Sequence, residues 1–164
     1  MQIRLAQKSE LPTLESLARQ IWPQTYSAII SSAQIEFMLN WMYSKSTLEE
    51  QQKAGHEFYL LAKDGTDVGF IALEWTTNQN LPSIKINKLY VLPSYQGTGA
   101  GRLLLEKAQE RARQTQVAKL FLQVNKANKA VAFYEKLGFF VQEEAIFDIG
   151  NGFVMDDYIM ARLL

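Results

Sequence analysis

The stretch that most constrains this chain is Leu89 to Arg102, LYVLPSYQGTGAGR. An apolar, β-branched run ends at Pro93, glycines stand at 97, 99 and 101, and a helical pattern follows at once. Glycine lacks a Cβ, so bare backbone N–H groups can close around an anion there. The following helix points its positive end at the same place. Strand, glycine loop and helix in that order form a phosphate cradle.

Two familiar cradles do not fit. A dinucleotide-binding fingerprint needs G-x-G-x-x-G with an acid about 20 residues further on. Here the third glycine comes one place early, and Leu120, Phe121 and Leu122 stand where the acid belongs. A P-loop needs a lysine followed by Ser or Thr after the last glycine, and this chain has Arg102-Leu103. A purely structural glycine turn stays open at this point.

Composition narrows the classes further. At 164 residues, 48% hydrophobic and 21% charged, residues 1–164 read as one domain with a sizeable core. Lys plus Arg balances Asp plus Glu at 17 each, so no bulk positive field draws the chain to nucleic acid. Without cysteine, disulfides, thiolate zinc sites and a cysteine nucleophile are excluded, and a lone histidine, His56, excludes a multi-histidine metal site. The opening MQIRLAQKSE lacks the apolar core of a signal peptide. No apolar run approaches the ~20 residues of a membrane span. The expectation is a cytoplasmic protein that needs no metal.

Periodicity gives the elements. Gln2–Ala6 reads as a strand, and Ser9 opens a helix that Trp22-Pro23 ends, with Leu14, Leu17, Ala18 and Ile21 on one face. Ser31-x-x-Gln34 is a capping box for a second helix striped by Ile35, Met38, Leu39 and Met42. Ser46-x-x-Glu49 opens a third, short helix stopping near Gly55. Strands follow at 57–62, 67–75 and 84–92, the first two joined by a turn at Asp64-Gly65. A helix over 99–114 presents Ala100, Leu103, Leu104 and Ala108. After a strand at 119–124, Asn128 caps a helix that Gly138 terminates. Residues 139–147 and 153–160 close as a hairpin across Gly150-Asn151-Gly152. Counting the main elements, the order is β-α-α-β-β-β-α-β-α-β-β, a mixed α/β (α+β) sheet covered by helices.

The run Gln96-Gly97-Thr98-Gly99-Ala100-Gly101 resembles the Q/R-x-x-G-x-G/A motif of the GNAT superfamily of N-acetyltransferases. Leu89-Tyr90-Val91-x-Pro93 resembles the usual lead-in to it. Val124-Asn125-Lys126-x-Asn128-x-Ala130 with Phe133-Tyr134-x-Lys136-x-Gly138-Phe139 resembles a later motif of the same family. The resemblance covers Ile3 to Leu164 and is weakest over residues 20–56. It implies a GNAT-like, mostly antiparallel sheet of six to seven strands.

It also implies roles. Acetyl-CoA is the implied co-substrate, its pyrophosphate held by Gln96, Gly97, Thr98, Gly99, Ala100, Gly101 and Arg102. Its pantetheine arm would pair with Leu89, Tyr90 and Val91 where that strand splays from the next, and the N–H near Val91 would polarise the thioester carbonyl. Asn125 and Asn128 match positions that contact the cofactor or order its loop, and a plain N-cap accounts for Asn128 equally well. Tyr134 matches the general acid that protonates the departing thiolate. It also belongs to an Ala130, Phe133, Tyr134, Leu137 stripe that fits a core aromatic.

One departure concerns the base. The strand before the loop reads Lys85-Ile86-Asn87-Lys88, without the carboxylate many relatives carry, which leaves Glu74 on the neighbouring strand or ordered water. His56 is expected to be exposed. For the acceptor, Trp22, Tyr26, Asp156 and Asp157 suit a cationic amine, and the pattern is diffusely similar to bacterial polyamine acetyltransferases. Expected partners are a small-molecule amine, no nucleic acid and no membrane, with a homodimer as the self-association to consider. Two other readings stay open: a catalytically idle acetyl-CoA-binding sensor or interaction module, and a protein N-terminal acetyltransferase.

Overall fold

Apolar residues run unbroken through the middle strands, which demands cover on both faces of a sheet. The computed structural model, which describes residues 1–164, provides it. Seven strands form one sheet: β1 (Gln2–Leu5), β2 (Glu57–Lys63), β3 (Thr66–Asn78), β4 (Leu81–Val91), β5 (Lys119–Asn125), β6 (Phe140–Gly150) and β7 (Phe153–Leu163). Their spatial order is β1-β2-β3-β4-β5-β7-β6. Every neighbouring pair is antiparallel except β4–β5. A parallel pair needs a crossover, and the helix α4 (Ala100–Gln114) is that crossover.

Strand alternation sorts the core into two halves. Phe58, Leu60, Phe70 and Ala72 face α1 (Leu11–Tyr26), α2 (Ser32–Tyr43) and α3 (Lys45–Lys53). Tyr59, Leu61, Ile71 and Leu73 face α4, and Tyr134 of α5 (Ala130–Lys136) joins that second core. The expected sheet, its order and the closing hairpin are all present. No helix is long and apolar enough to cross a membrane.

Several local expectations need correction. Pro23 lies inside α1 and does not end it. Its ring removes one donor and crowds the preceding turn, at a cost of ~3 kcal/mol. Trp22 and Tyr26 straddle it and are both buried, and burial of each large side chain contributes ~1.5–3 kcal/mol, enough to carry the helix on. Ser9 sits within a 3-10 turn, Lys8–Glu10, that leads into α1, and Glu10 Oε1 accepts from the Gln7 N–H at 3.0 Å.

Three helices separate β1 from β2, as the sequence reading has it. The third is capped by Ser44, whose hydroxyl accepts from the Thr47 N–H at 3.2 Å, instead of Ser46. Only half of the Ser31 box forms, because the Gln34 side chain donates to the Val154 carbonyl at 2.8 Å. On α4 the buried stripe is Ala100, Leu104, Leu105, Ala108 and Ala112, and Leu103 is exposed.

Phe70 is fully buried between the Tyr43 and Tyr90 rings, at centroid distances of 6.0 and 5.8 Å. Phe70→Ala is expected to destabilise the chain by ~3–5 kcal/mol. Urea denaturation should show a lower midpoint with an unchanged slope.

Candidate active site

β4 and β5 pair over Ile84↔Leu120, Lys85↔Phe121 and Ile86↔Leu122, and no further. Just beyond, the β3–β4 register shifts from Leu73↔Ile86 to Ala72↔Lys88, which leaves Asn87 as an extra, bulged residue. Bulges bend and twist a strand. β4 turns away here, while β5 stays paired to β7 as far as Asn125↔Asp157. A gap therefore opens inside the sheet, with Asn87–Val91 along one side and Gln123–Asn125 along the other.

The glycine loop sits beyond the β4 end of this gap. A 3-10 turn over Pro93–Tyr95 leads out of β4, and Gln96 Nε2 donates back to the Val91 carbonyl at 3.2 Å. Gly97 and Gly99 have φ of +76° and +89°, and a Cβ on either would meet nothing within 4 Å. The positive φ requires glycine, and the space above the backbone is open. Gly99 is the N-cap of α4, and the N–H groups from Gly97 to Arg102 find no hydrogen-bond partner in the chain. Unpartnered donors at a helix N-terminus fit a pyrophosphate in number, direction and charge. Gly101 serves packing instead. A Cβ there would stand 3.2 Å from Phe133 Cζ, so its absence lets α4 close on α5.

Asparagines set α5 against the other side of the gap. Asn125 Oδ1 accepts from the Ala127 N–H and Asn128 Oδ1 from the Ala130 N–H, both at 2.9 Å. Gly138, at φ +88°, ends the helix, and the Phe139 N–H returns to the Tyr134 carbonyl at 3.1 Å. Tyr134 is only 6% exposed, packed on Phe133 and Phe139 at ring distances of 5.2 and 5.6 Å. Burial pushes its phenol up, the Tyr26 phenol adds to the effect, and no hydrogen bond opposes it. The group is therefore a fully protonated donor at neutral pH.

Tyr26 spans the gap. Its hydroxyl lies 2.8 Å from the Tyr90 hydroxyl of β4 and accepts from Asn128 Nδ2 of the β5–α5 loop at 3.4 Å. Trp22 stacks behind both rings at 4.7 and 5.6 Å and is 1% exposed. This corrects the expectation that Trp22 touches the acceptor: it is a core residue that props Tyr26 and Tyr90.

Asp156 and Asp157 part company, because successive strand residues face opposite sides. Asp156 points away from Tyr26 and pairs with Lys126 at 3.0 Å. Asp157 shares the face of Met155, which packs on the α1–α3 core. It is 2% exposed, with neither an ion pair nor a hydrogen bond. Burial is the main cause that raises its carboxyl to about 6, Asp156 adds to it, and Lys126 and Lys85 oppose it.

Glu74, one-third exposed, accepts from Asn87 Nδ2 at 2.8 Å, and His56 Nε2 lies 3.9 Å from it. The His56 side chain is only 13% exposed, contrary to expectation, and burial lowers its pKa, leaving it neutral at pH 7. Lys88 was not foreseen as a site feature. It is buried, donates to Gln51 Oε1 at 3.1 Å and lies over the Tyr43 and Phe58 rings, with burial bringing it down to about 8. A lysine within an apolar strand run is the only signal the sequence offered for it. Leu89, Thr98, Ala100 and Arg102 lie along the gap edge and the loop, and the Arg102 side chain is exposed on Glu106 at 3.0 Å.

Comparison with known proteins agrees with this geometry. A family model described as an acetyltransferase (GNAT) domain matches residues 26–157. The chain is 29% identical over 162 residues to the spermidine N(1)-acetyltransferase of Thermoplasma acidophilum, covering 95% of this chain and 96% of that protein. It is 27% identical over 124 residues to the ribosomal protein bS18-alanine N-acetyltransferase of Haemophilus influenzae, covering 76% and 81%. The crystal structure of PaiA N-acetyltransferase from T. acidophilum in complex with coenzyme A superposes with a TM-score of 0.81 at 28% identity, covering 100% of both chains.

Asp157 supplies a pH test. An acid whose folded pKa lies above its unfolded value leaves stability untouched while both states are protonated, and costs stability once it ionises. The penalty enters as pH rises from 3.8 towards 6 and is complete above 6. Asp157→Asn should therefore raise the Tm at neutral pH, and thermal melts below pH 3.8 should show the advantage gone.

Proposed function

Because the chain belongs to the GNAT acetyltransferase family, we propose that it transfers the acetyl group of acetyl-CoA to a small primary amine, with Tyr134 as the general acid. The observation that carries this reading is the gap between β4 and β5, with the unpartnered N–H groups of Gly97–Arg102 beyond one side and the Tyr134 phenol across it. The loop would hold the pyrophosphate. The free inner edge of β4 from Asn87 to Val91 would take the pantetheine arm as an added strand. The thioester would then lie where the strands part.

Direct attack by the amine nitrogen forms the C–N bond and breaks the C–S bond. The thiolate that leaves needs a proton in a water-poor site. A buried phenol without a hydrogen-bond partner is suited to give one, because nothing else competes for its proton. The acceptor side carries the buried Asp157 carboxylate, whose charge reaches the Tyr26 hydroxyl, itself 2.8 Å from that of Tyr90. That arrangement favours a cationic amine, and a polyamine's second charge allows one carboxylate to anchor it away from the reacting nitrogen. The name of the T. acidophilum relative points to the same class.

Gly99→Val should abolish acetyl-CoA binding in a calorimetric titration while the fold is retained. A branched side chain at φ +89° is strained and also fills the open space above the loop. A titration that leaves affinity unchanged would assign the loop a structural role only.

A thiol-release assay tests the chemistry, and the absence of cysteine leaves it without background. Spermidine is expected to turn over in preference to peptides with free N-termini. Tyr134→Phe should lower kcat by ~10²–10⁴-fold and leave acetyl-CoA affinity nearly unchanged. Turnover within a few-fold of wild type would make Tyr134 a packing residue.

A further inference from the structure

We propose that Asp157 is the general base, the group that takes the proton an acceptor ammonium must lose before its nitrogen can attack. The inference rests on the acetyl-transfer reading and goes beyond it by assigning the base.

The position comes from the sheet. Asp157 pairs in register with Asn125, the last residue of β5, at the mouth of the gap. It faces the side from which Tyr26 reaches across to Tyr90 and Asn128. The Asp157 charge raises the Tyr26 phenol, and Tyr26 in turn raises Tyr134. The carboxylate and the proposed acid are thus both within electrostatic reach of the one phenol that spans the gap.

The chemistry comes from what Asp157 lacks. Buried carboxylates are ordinarily paired or hydrogen-bonded, because an isolated charge out of water is costly. Asp157 has no such partner in the chain, so its natural partner is a cation from outside. Glu74 is differently placed. It is already held by Asn87 at 2.8 Å, stands beside His56, and keeps one-third of its side chain in solvent. It is placed to draw a distal charge and not to receive a proton in a dry site.

The titratable groups within electrostatic reach of Asp157 are Tyr26 on α1, Lys85 on β4, Lys126 in the loop after β5, and Asp156 on the opposite side of its own strand. Burial outweighs the two lysines, and the carboxyl sits at about 6. A base near the working pH combines an ionised resting state with appreciable basicity.

The proton balance closes. One N–H proton of the ammonium passes to the Asp157 carboxylate. The neutral nitrogen attacks the thioester carbon, the C–N bond forms and the C–S bond breaks. Tyr134 gives its proton to the sulfur and regains one from the new amide nitrogen. Asp157 releases its proton to solvent with the products.

The test is the pH profile of kcat with a saturating amine, for wild type, Asp157→Asn and Glu74→Gln. Wild type should show an acidic limb near 6. Asp157→Asn should lose that limb and ~10²–10⁴-fold in kcat, a loss larger than any accompanying rise in acceptor KM. Its raised thermal stability would show that the loss is not unfolding. Formate should restore part of the turnover of Asp157→Ala and none of that of Tyr134→Phe. Retention of the limb in Asp157→Asn, its loss in Glu74→Gln, or an effect confined to acceptor KM would each overturn the assignment and leave acetyl transfer standing. A wild-type protein that acetylates no amine would overturn both.

Discussion

The three residue pairs that join β4 to β5, and the separation that follows them, set the terms for everything else in this molecule. Inside a sheet each unpaired backbone group that is also buried costs ~1–3 kcal/mol, so strands do not part without compensation. Here the Asn87 bulge shifts the β4 register, and the Gln96 side chain takes up the Val91 carbonyl. The Tyr26 hydroxyl bridges from Tyr90 to Asn128. What remains unpaired along β4 is the edge an extended ligand would complete. The gap persists because each face has its own core: α1 to α3 pack one side of β2 and β3, and α4 packs the other. Neither layer needs β4 and β5 to close for its apolar residues to be buried.

The same separation lets the two faces act on each other. Tyr26 and Tyr90 belong to the core under α1, and Tyr134 belongs to the core under α4. An intact sheet would hold these phenols in separate compartments. Across the gap Tyr26 raises the Tyr134 phenol and Tyr134 raises that of Tyr90, beyond what burial alone does. The glycine loop and the protonated phenol thus lie along one opening and not on opposite sides of a wall. The parallel β4–β5 pair contributes, since its crossover helix α4 begins just beyond the end of β4.

Legibility in the sequence follows how local each determinant is. The glycine loop, the strand before it and Tyr134 are written in short motifs, and the hairpin through Asn151-Gly152 in its turn residues. The positions that resist are set by distant contacts. Pro23 reads as a stop until burial of Trp22 and Tyr26 outweighs it. Trp22 reads as an acceptor-site aromatic until Tyr90, far along the chain, stacks on it. Ser46 with Glu49 reads as the cap of the third helix, yet Ser44 takes that place in a helix that buries Leu48. Asp156 and Asp157 look like a pair because they are adjacent. Strand alternation separates adjacent residues, but which of the two faces the gap depends on the β5–β7 register. His56 follows the end of the helical segment and looks like a loop residue, yet Glu74 and Asn87 lie within its reach only because β2 pairs with β3 and β3 with β4.

Two buried charges near the gap show why burial alone does not mark a functional group. Lys88 and Asp157 are both nearly inaccessible, and burial moves each towards its neutral form. Lys88 is answered from within the chain: Gln51 accepts its hydrogen bond, and the Tyr43 and Phe58 rings face its charge. Those contacts tie α3, α2 and β2 to β4 beside the bulge, which is a structural role, and removing them would release the strand whose bend opens the gap. Asp157 has no such answer, and β7 holds it in place through its backbone pairing alone. A charge that the fold buries and satisfies serves the fold. A charge that the fold buries and leaves unsatisfied destabilises it at neutral pH, and a cation from outside the chain would offset that cost.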